Sequence, residues 1–396
     1  MAPLEGIKVL ELGHIVAGPS AGHMLGDMGA DVVKIETVDG GDKARRMPGG
    51  GVAMFHFLNR NKRSVALDLK DKEGKQIFLS LAAAADIVID NYAHGVIERL
   101  GIGHEVASQS NPGLIWLSIR GFLPGPAEEQ PMLDELAQMA GGLAFMTGPD
   151  GAPMRAGASV IDVGAAAYGV MAVLAALRQK EIGKAKGQQI IAGLYETSVY
   201  SVGQWMATSQ FTGQPSQPMP TERQDKRMGF YIYRLFDTSD NTQVFIGVTS
   251  EAQWARFCEE FGFNALASDP LFIDDANRQK NLPQLQVEVG KLIRQLPSTR
   301  VEECLLAAKV PFARVRRPDE LAHEGHLLAS QQLLDVEFPN GVSARLPKLP
   351  FRASGFEMAL NRPSPQLGQH TREVLQAHGI SAQEVDGLLA RGAARE

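Results

Sequence analysis

The chain has 396 residues, 44% of them apolar and 21% charged, with a formal net charge of -6. That composition is globular and long enough for two domains, and its negative balance argues against a duplex nucleic-acid partner while leaving room for a local basic pocket. The only two cysteines, Cys258 and Cys304, lie far apart in sequence, which excludes a disulfide framework or a thiolate metal site and fits a reducing cytoplasm.

The opening MAPLEG runs directly into the alternating segment IKVLEL, so a strand is expected there and no signal peptide. AGPSAGHMLGDMG then reads as a glycine-broken turn feeding a helix, and DVVKIE as a second strand. Together they make one βαβ unit of a doubly wound sheet. SVALDL, DIVIDNY and LIWLSIRGF continue as strands, with EGKQIFLSLAAAA as a helix between the first two. In an open parallel sheet ligands bind outside the carboxyl ends of the strands, which places Gly13 to Pro19, Asn91 to Tyr92 and Arg120 to Phe122 on one functional rim. LDELAQMAGGLAFM reads as a helix closing on Gly141 and Gly142, and TGPDGAPMR as a turn-rich excursion towards Asp162. The apolar stretch after Asp162 ends at Arg178 and Lys180, as a helix C-terminus favours, and its Gly and Tyr interruptions argue for a buried helix over a membrane span. GKAKGQQIIAGLYETSVY follows as turn, strand and helix.

Residues 1–210 therefore read as the N-terminal part of a large Rossmann-like domain. The Pro- and Gln-rich stretch 211–228 reads as a linker, 229–330 as a small α+β domain, and 331–396 as a linker and return to the large domain.

Chemistry has few candidate carriers. Gly13, Gly18 and Gly22 lack dinucleotide-binding spacing, so they either permit close packing or let backbone N–H groups approach a phosphate or carbonyl. The run Arg60, Lys62, Arg63 is either a solvated strand start or part of a polyphosphate site, to which Lys34, Arg45, Arg46 and Arg99 could add. Asp162 is either a helix N-cap or a localised anion facing a cleft, and Asp134 and Glu135 could shift its pKa across that cleft. His14 falls on the predicted rim. His323 and His326 in HEGH have helical spacing but no third ligand, which makes a solvated helix surface the better reading and leaves no metal site. There is no GxSxG elbow.

GIKVLELGHIVAGPSAGHMLGDMGADVVKIE, FLNRNKRSVALDLK, DIVIDNYAHGVIERLG, the Asp162 segment, GKAKGQQIIAGLYE and LGQHTREVLQAHG run in the order of the class III CoA-transferase (CaiB/BaiF) family, which the chain resembles. The resemblance implies an interlocked, ring-like homodimer with Rossmann-like large domains. It implies a CoA thioester as substrate, with no permanently bound cofactor and no membrane or nucleic-acid partner. Asp162 matches the catalytic aspartate and Asp134 an acidic position near it. Lys62, Arg63, Asn91 and Arg99 match positions near CoA, and His14, on the predicted rim, is expected to join them. Val16 stands where the formate-oxalate branch has glutamine, which separates this chain from it. The α-methylacyl-CoA racemases of the same fold look to need a His immediately before Asp134, where this chain has Leu133. GFLPGPAEEQPMLDELAQMAGGLAFMTGPDGAPMRAG resembles the mesaconyl-CoA C1-C4 transferase branch, and transfer from succinyl-CoA to itaconate, mesaconate or malate is the rival expectation. Either substrate class would want a cation for its free carboxylate, from Arg120 or Arg155. Backbone N–H groups at Gly141 and Gly142, or in the first loop, are expected to face the developing oxyanion.

Overall fold

The computed structural model describes residues 2–219 and 232–396. Of the linker expected at 211–228, residues 220–228 lie outside the described residues, and 211–212 end the helix Gly203–Thr212. Chain contacts divide the protein into two units, one of 1–144, 154–216 and 322–396, the other of 145–153 and 217–321.

The first unit is built on a seven-stranded sheet: β1 (Lys8–Glu11), β2 (Asp31–Glu36), β3 (Lys62–Leu67), β4 (Ile87–Asp90), β5 (Ile115–Arg120), β6 (Gln188–Gly193) and β7 (Ala394–Arg395), in the order β7-β3-β2-β1-β4-β5-β6. Six strands are parallel and β7 joins β3 antiparallel. The interior strands are buried on both faces, so β4 reads as a continuous apolar run, while the charged positions of β1 to β3, Glu11, Lys34, Glu36 and Lys62, are buried as well. Two apolar layers cover them. One contains Trp116, Phe78 and Leu375, the other Leu25, Leu117 and Val173.

From β1 the chain winds outwards through β2 and β3, then returns to the other side of β1 as β4. The crevice at the β1 and β4 carboxyl ends is thus the topological switch point, where open α/β sheets bind ligands. Helix α1 (Ala17–Asp27) follows β1, α2 (Lys72–Ala83) follows β3, α3 (Asp134–Ala140) follows β5, and α4 (Val160–Glu181) leads into β6, with α5 (Leu194–Ser201) after it. Lys180 near the end of α4 meets Asp86 just before β4 at 3.2 Å, so α4 runs down the sheet and its first turn stands at the carboxyl-end rim.

α4 is less buried than the sequence reading expected. It has 22 residues, long and apolar enough by composition to cross a membrane, yet one face packs on α1, β5 and β6 while Val163, Tyr168 and Met171 stay exposed. The second unit carries an antiparallel three-stranded sheet, Ile232–Asp237, Gln243–Val248 and Phe312–Arg314, packed with helices Glu251–Phe261, Leu282–Ile293 and Ser298–Ala308 around Trp254, Phe257 and Leu285.

Candidate active site

Gly13 and Gly18 settle how the first loop closes. A Cβ on Gly18 would lie 2.6 Å from the Gly13 Cα, so the loop and the start of α1 touch backbone to backbone. Above this contact Asn91 accepts from the His14 N–H at 2.8 Å and donates to the His14 carbonyl at 3.0 Å, tying the β4 end to the loop. His14 stands 5.2 Å from the Tyr92 ring, and burial pushes its imidazole below the usual range against the pull of Asp42, leaving it neutral at pH 7.

Gly13, His14 and Tyr92 line a pocket of about 390 Å³ at the switch point, with Thr37, Lys43, Arg46 and Val96 among the walls. Lys43 and Arg46 are exposed, and among the described residues neither has an ion pair. Arg99, on the short helix Val96–Leu100 after β4, is likewise exposed and unpaired. Lys43 was not singled out in the sequence, although a cation after the glycine turn Gly40-Gly41 was a readable signal.

The other expected CoA contacts do not reach this pocket. The Lys62 side chain is fully buried, its ammonium held by Glu11 at 2.6 Å, the Pro19 carbonyl at 2.9 Å and Asn59 at 3.0 Å. Arg63 pairs with Asp31 at 2.6 Å and Glu373 at 3.1 Å, at the amino end of β2 and β3. Arg60 is buried against Asp27 at 2.6 Å. Neither sequence alternative, solvated run or phosphate site, describes these three, because the strand start packs inwards and each cation meets a carboxylate.

At the carboxyl ends of β5 and β6 a second constellation forms. Asp162 is the third residue of α4, and Ser159 occupies the N-cap without a side-chain capping bond. The cap comes from outside the helix: Asp134, first residue of α3, accepts the N–H groups of Ile161 and Asp162 at 2.8 and 2.9 Å. Its other oxygen takes the Gln138 amide, and the Gln138 carbonyl accepts Ala156 N–H at 2.8 Å. A relay of two buried side chains thus ties loop 155–156 to the start of α4. Gln138 was overlooked in the sequence, although it lies one helical turn after Asp134 on the same face.

The Asp162 carboxylate is half-buried and, among the described residues, has no hydrogen-bond or ion-pair partner. Burial, then the negative charges of Asp134 and Glu135, push it up to about 7. A helix N-terminus pulls the other way by only about 0.3–1 kcal/mol, too little to offset them. The N-cap reading of Asp162 is therefore wrong, since its oxygens are free.

Arg155 is half-exposed and meets Glu135 loosely at 3.6 Å. Arg120 is not comparable, because its guanidinium is bound to Asp90, which is fully buried and also takes Trp116 Nε1 at 2.8 Å and Ser118 Oγ at 2.7 Å. Gly141 has no N–H to offer an oxyanion either, since it donates to the Ala137 carbonyl at 2.8 Å. A Cβ on it would strike Ser198 at 2.4 Å, so glycine here lets α3 and α5 pack closely. Gly142 follows at φ +87°, and its N–H has no partner among the described residues. His323 ends a 3-10 segment and His326 sits in the separate helix Gly325–Ala329, so HEGH is not one helix face. Among the described residues no group of three or more His, Cys, Asp or Glu is placed to hold a metal.

Comparison with known proteins identifies the fold. The chain is 31% identical over 393 residues to human succinyl-CoA:glutarate CoA-transferase, covering 94% of this chain and 85% of that one. It is 30% identical over 401 residues to succinyl-CoA:mesaconate CoA-transferase of Haloarcula hispanica, covering 96% and 97%. The crystal structure of a CAIB/BAIF family protein from Brucella suis superposes with a TM-score of 0.85 at 28% identity, covering 95% of this chain and 99% of that one. The family model for CoA-transferase family III matches residues 4–371, and the chain belongs to that family of enzymes.

Proposed function

We propose that this protein moves CoA between small dicarboxylic acids through a covalent thioester on Asp162. The observation that carries the reading is the Asp162 carboxylate at the carboxyl-end rim, on a helix start whose Ile161 and Asp162 N–H groups are held by Asp134, with its own oxygens unengaged among the described residues. The Asp162 carboxylate attacks the acyl-CoA carbonyl, giving a mixed anhydride and CoA thiolate. The thiolate then attacks the aspartyl carbonyl of the anhydride, releasing the donor acid and leaving aspartyl-CoA. An acceptor carboxylate attacks that thioester and expels the thiolate again, which finally takes the acceptor acyl group and restores Asp162. Each step exchanges one acyl bond for another, so no outside energy source is needed. A carboxylate with its pKa near 7 is a stronger nucleophile once ionised than an ordinary one, at the cost of being half protonated at neutral pH.

In this reading the switch-point pocket takes the nucleotide end of CoA, with His14 and Tyr92 lining it, Asn91 holding the His14 backbone, Lys43 and Arg46 supplying charge for its phosphates and Arg99 adding to them from the helix after β4. Asp134 acts by orienting the start of α4 and not as an acid. Arg155 is the cation for the free carboxylate of a diacid, since its pair with Glu135 is exposed and thus cheap to exchange. The unpaired N–H of Gly142 is the candidate oxyanion donor. The names of the similar proteins, which act with succinyl-CoA on glutarate or mesaconate, support transfer between molecules. Resemblance of the 121–157 stretch to the C1-C4 branch favours a second reading, transfer within mesaconyl-CoA.

Exposed apolar side chains on and near α4, including Met171 at 62%, Tyr200 at 72% and Phe211 at 94% relative exposure, support assembly as a homodimer, which mass measurement in solution checks. For the chemistry, incubation with succinyl-CoA followed by intact mass and peptide mapping should find CoA attached at Asp162. Offering mesaconyl-CoA with labelled free mesaconate separates the two readings: isomerisation without label uptake is intramolecular, and a strict need for a second acid is not. Full turnover by Asp162→Ala would overturn both.

A further inference from the structure

The switch-point pocket is lined by Gly13 and His14 of the first loop and by Lys43 and Arg46 of the 3-10 turn Lys43–Arg46, and one buried carboxylate holds both segments. Asp42 Oδ1 accepts the Ile15 N–H at 3.0 Å and the Ala44 N–H at 2.9 Å, while Oδ2 faces the Lys34 ammonium at 3.0 Å. Ile15 has φ +64°, a conformation that a β-branched residue avoids because its side chain crowds the backbone. Strain of this kind persists only where neighbours over-determine it. Here they do: Lys34 donates to the Gly13 carbonyl at 2.6 Å, Asn91 holds both polar groups of His14, and Asp42 holds Ile15. Lys34 is itself completely buried and also pairs with Glu11 at 2.8 Å, so the keystone does not swing.

We propose that Asp42 is a positioning residue for the CoA thioester: braced by Lys34, its carboxylate latches Ile15 in the left-handed conformation and caps the turn that presents Lys43 and Arg46. The loop and the cations then stand at a fixed separation before substrate arrives, which removes an ordering cost from binding. Asp42 touches no substrate and acts through the two backbone segments it holds. The inference rests on the pocket being the CoA site.

Calorimetric titration of the intact protein with free CoA tests it. Ile15→Pro removes the N–H that Asp42 accepts and forbids positive φ at a half-buried loop position, so it breaks the latch while leaving the buried charges alone. Its Kd for CoA should rise at least about tenfold with little change in thermal midpoint. Asp42→Asn presents an amide donor to Lys34 or to Ile15 whichever way it turns, and should weaken CoA comparably. Adding Ile15→Gly to Asp42→Asn makes the left-handed conformation free of steric cost and should recover at least about threefold in Kd, a rescue that loss of stability alone would not give. Wild-type affinity in Ile15→Pro, or no rescue by Ile15→Gly, overturns the positioning role. Unchanged CoA affinity in the Lys43→Ala, Arg46→Ala double variant is a different result: it removes the pocket as the CoA site, and the positioning role with it.

Discussion

The wall around Asp42 and the corner around Asp162 both bring carboxylates to the carboxyl ends of the strands, and they treat them in opposite ways. At the first, Glu11, Glu36 and Asp42 are met by Lys34, Lys62 and Arg45 at 2.6 to 3.0 Å. Burial alone would raise Glu36 and Asp42, but Arg45, Lys34 and the hydrogen bonds around them hold both below the usual carboxylate range. At the second, Asp162 receives no cation and no donor among the described residues, and burial with its acidic neighbours drives it up. Compensated charge builds a rigid pocket, whereas uncompensated charge is left available to a substrate. The molecule separates the two tasks within one sheet edge.

Removing the uncompensated charge should have the largest effect. Asp162→Asn is expected to lower CoA transfer at least about 10³-fold, some 4 kcal/mol of barrier, with no CoA adduct by mass. Removing a compensating charge should instead cost stability. Lys34→Met leaves Asp42 without a cation in the interior and Glu11 with Lys62 alone, and should lower unfolding free energy by about 3–5 kcal/mol in a denaturant titration.

The pH response sharpens the contrast. An unfolded chain releases the Asp162 proton near 3.8, while the folded protein keeps it until about 7, so folded stability falls as pH rises across that window. Asp162→Asn has no such proton and should be more stable than wild type at pH 8 by about 2–4 kcal/mol, with the advantage vanishing near pH 4. Acylation of wild-type Asp162 by acyl-CoA should rise with pH and level off above about 7, as a pH profile of single-turnover adduct formation would record.

Two smaller effects test the relay and the second acid. Gln138→Leu leaves the Ala156 N–H and one Asp134 oxygen without partners and should cost about 1–3 kcal/mol of stability, together with a fall in turnover larger than that in CoA affinity. Glu135→Gln removes one of the two acidic neighbours of Asp162 and should move the acylation midpoint down by about half a pH unit.

Much of this was legible in the residues. Local apolar periodicity marked β1 to β6, and the interval between turns implied a doubly wound sheet, because strand and helix patterns are properties of consecutive residues. The small terminal strand β7 escaped notice because Ala394–Arg395 has no pattern of its own and exists only by pairing with β3. Asp162 could be picked out from its place before an apolar helix, but not whether it capped that helix, since the answer lay in Asp134, 28 residues earlier in the chain.

The amino-acid sequence by itself determined the layered α/β architecture and marked Asp162 as a candidate acid beside an apolar helix. Only the tertiary structure decided which charges are spent. Lys62, Arg63 and Arg120 look as available in the chain as Lys43, Arg46 and Arg155, yet the first three are bound to carboxylates from other strands. Pairing between distant residues is set by how the strands stack, and the free energy of a charge depends on the partner it finds and not on its neighbours in sequence.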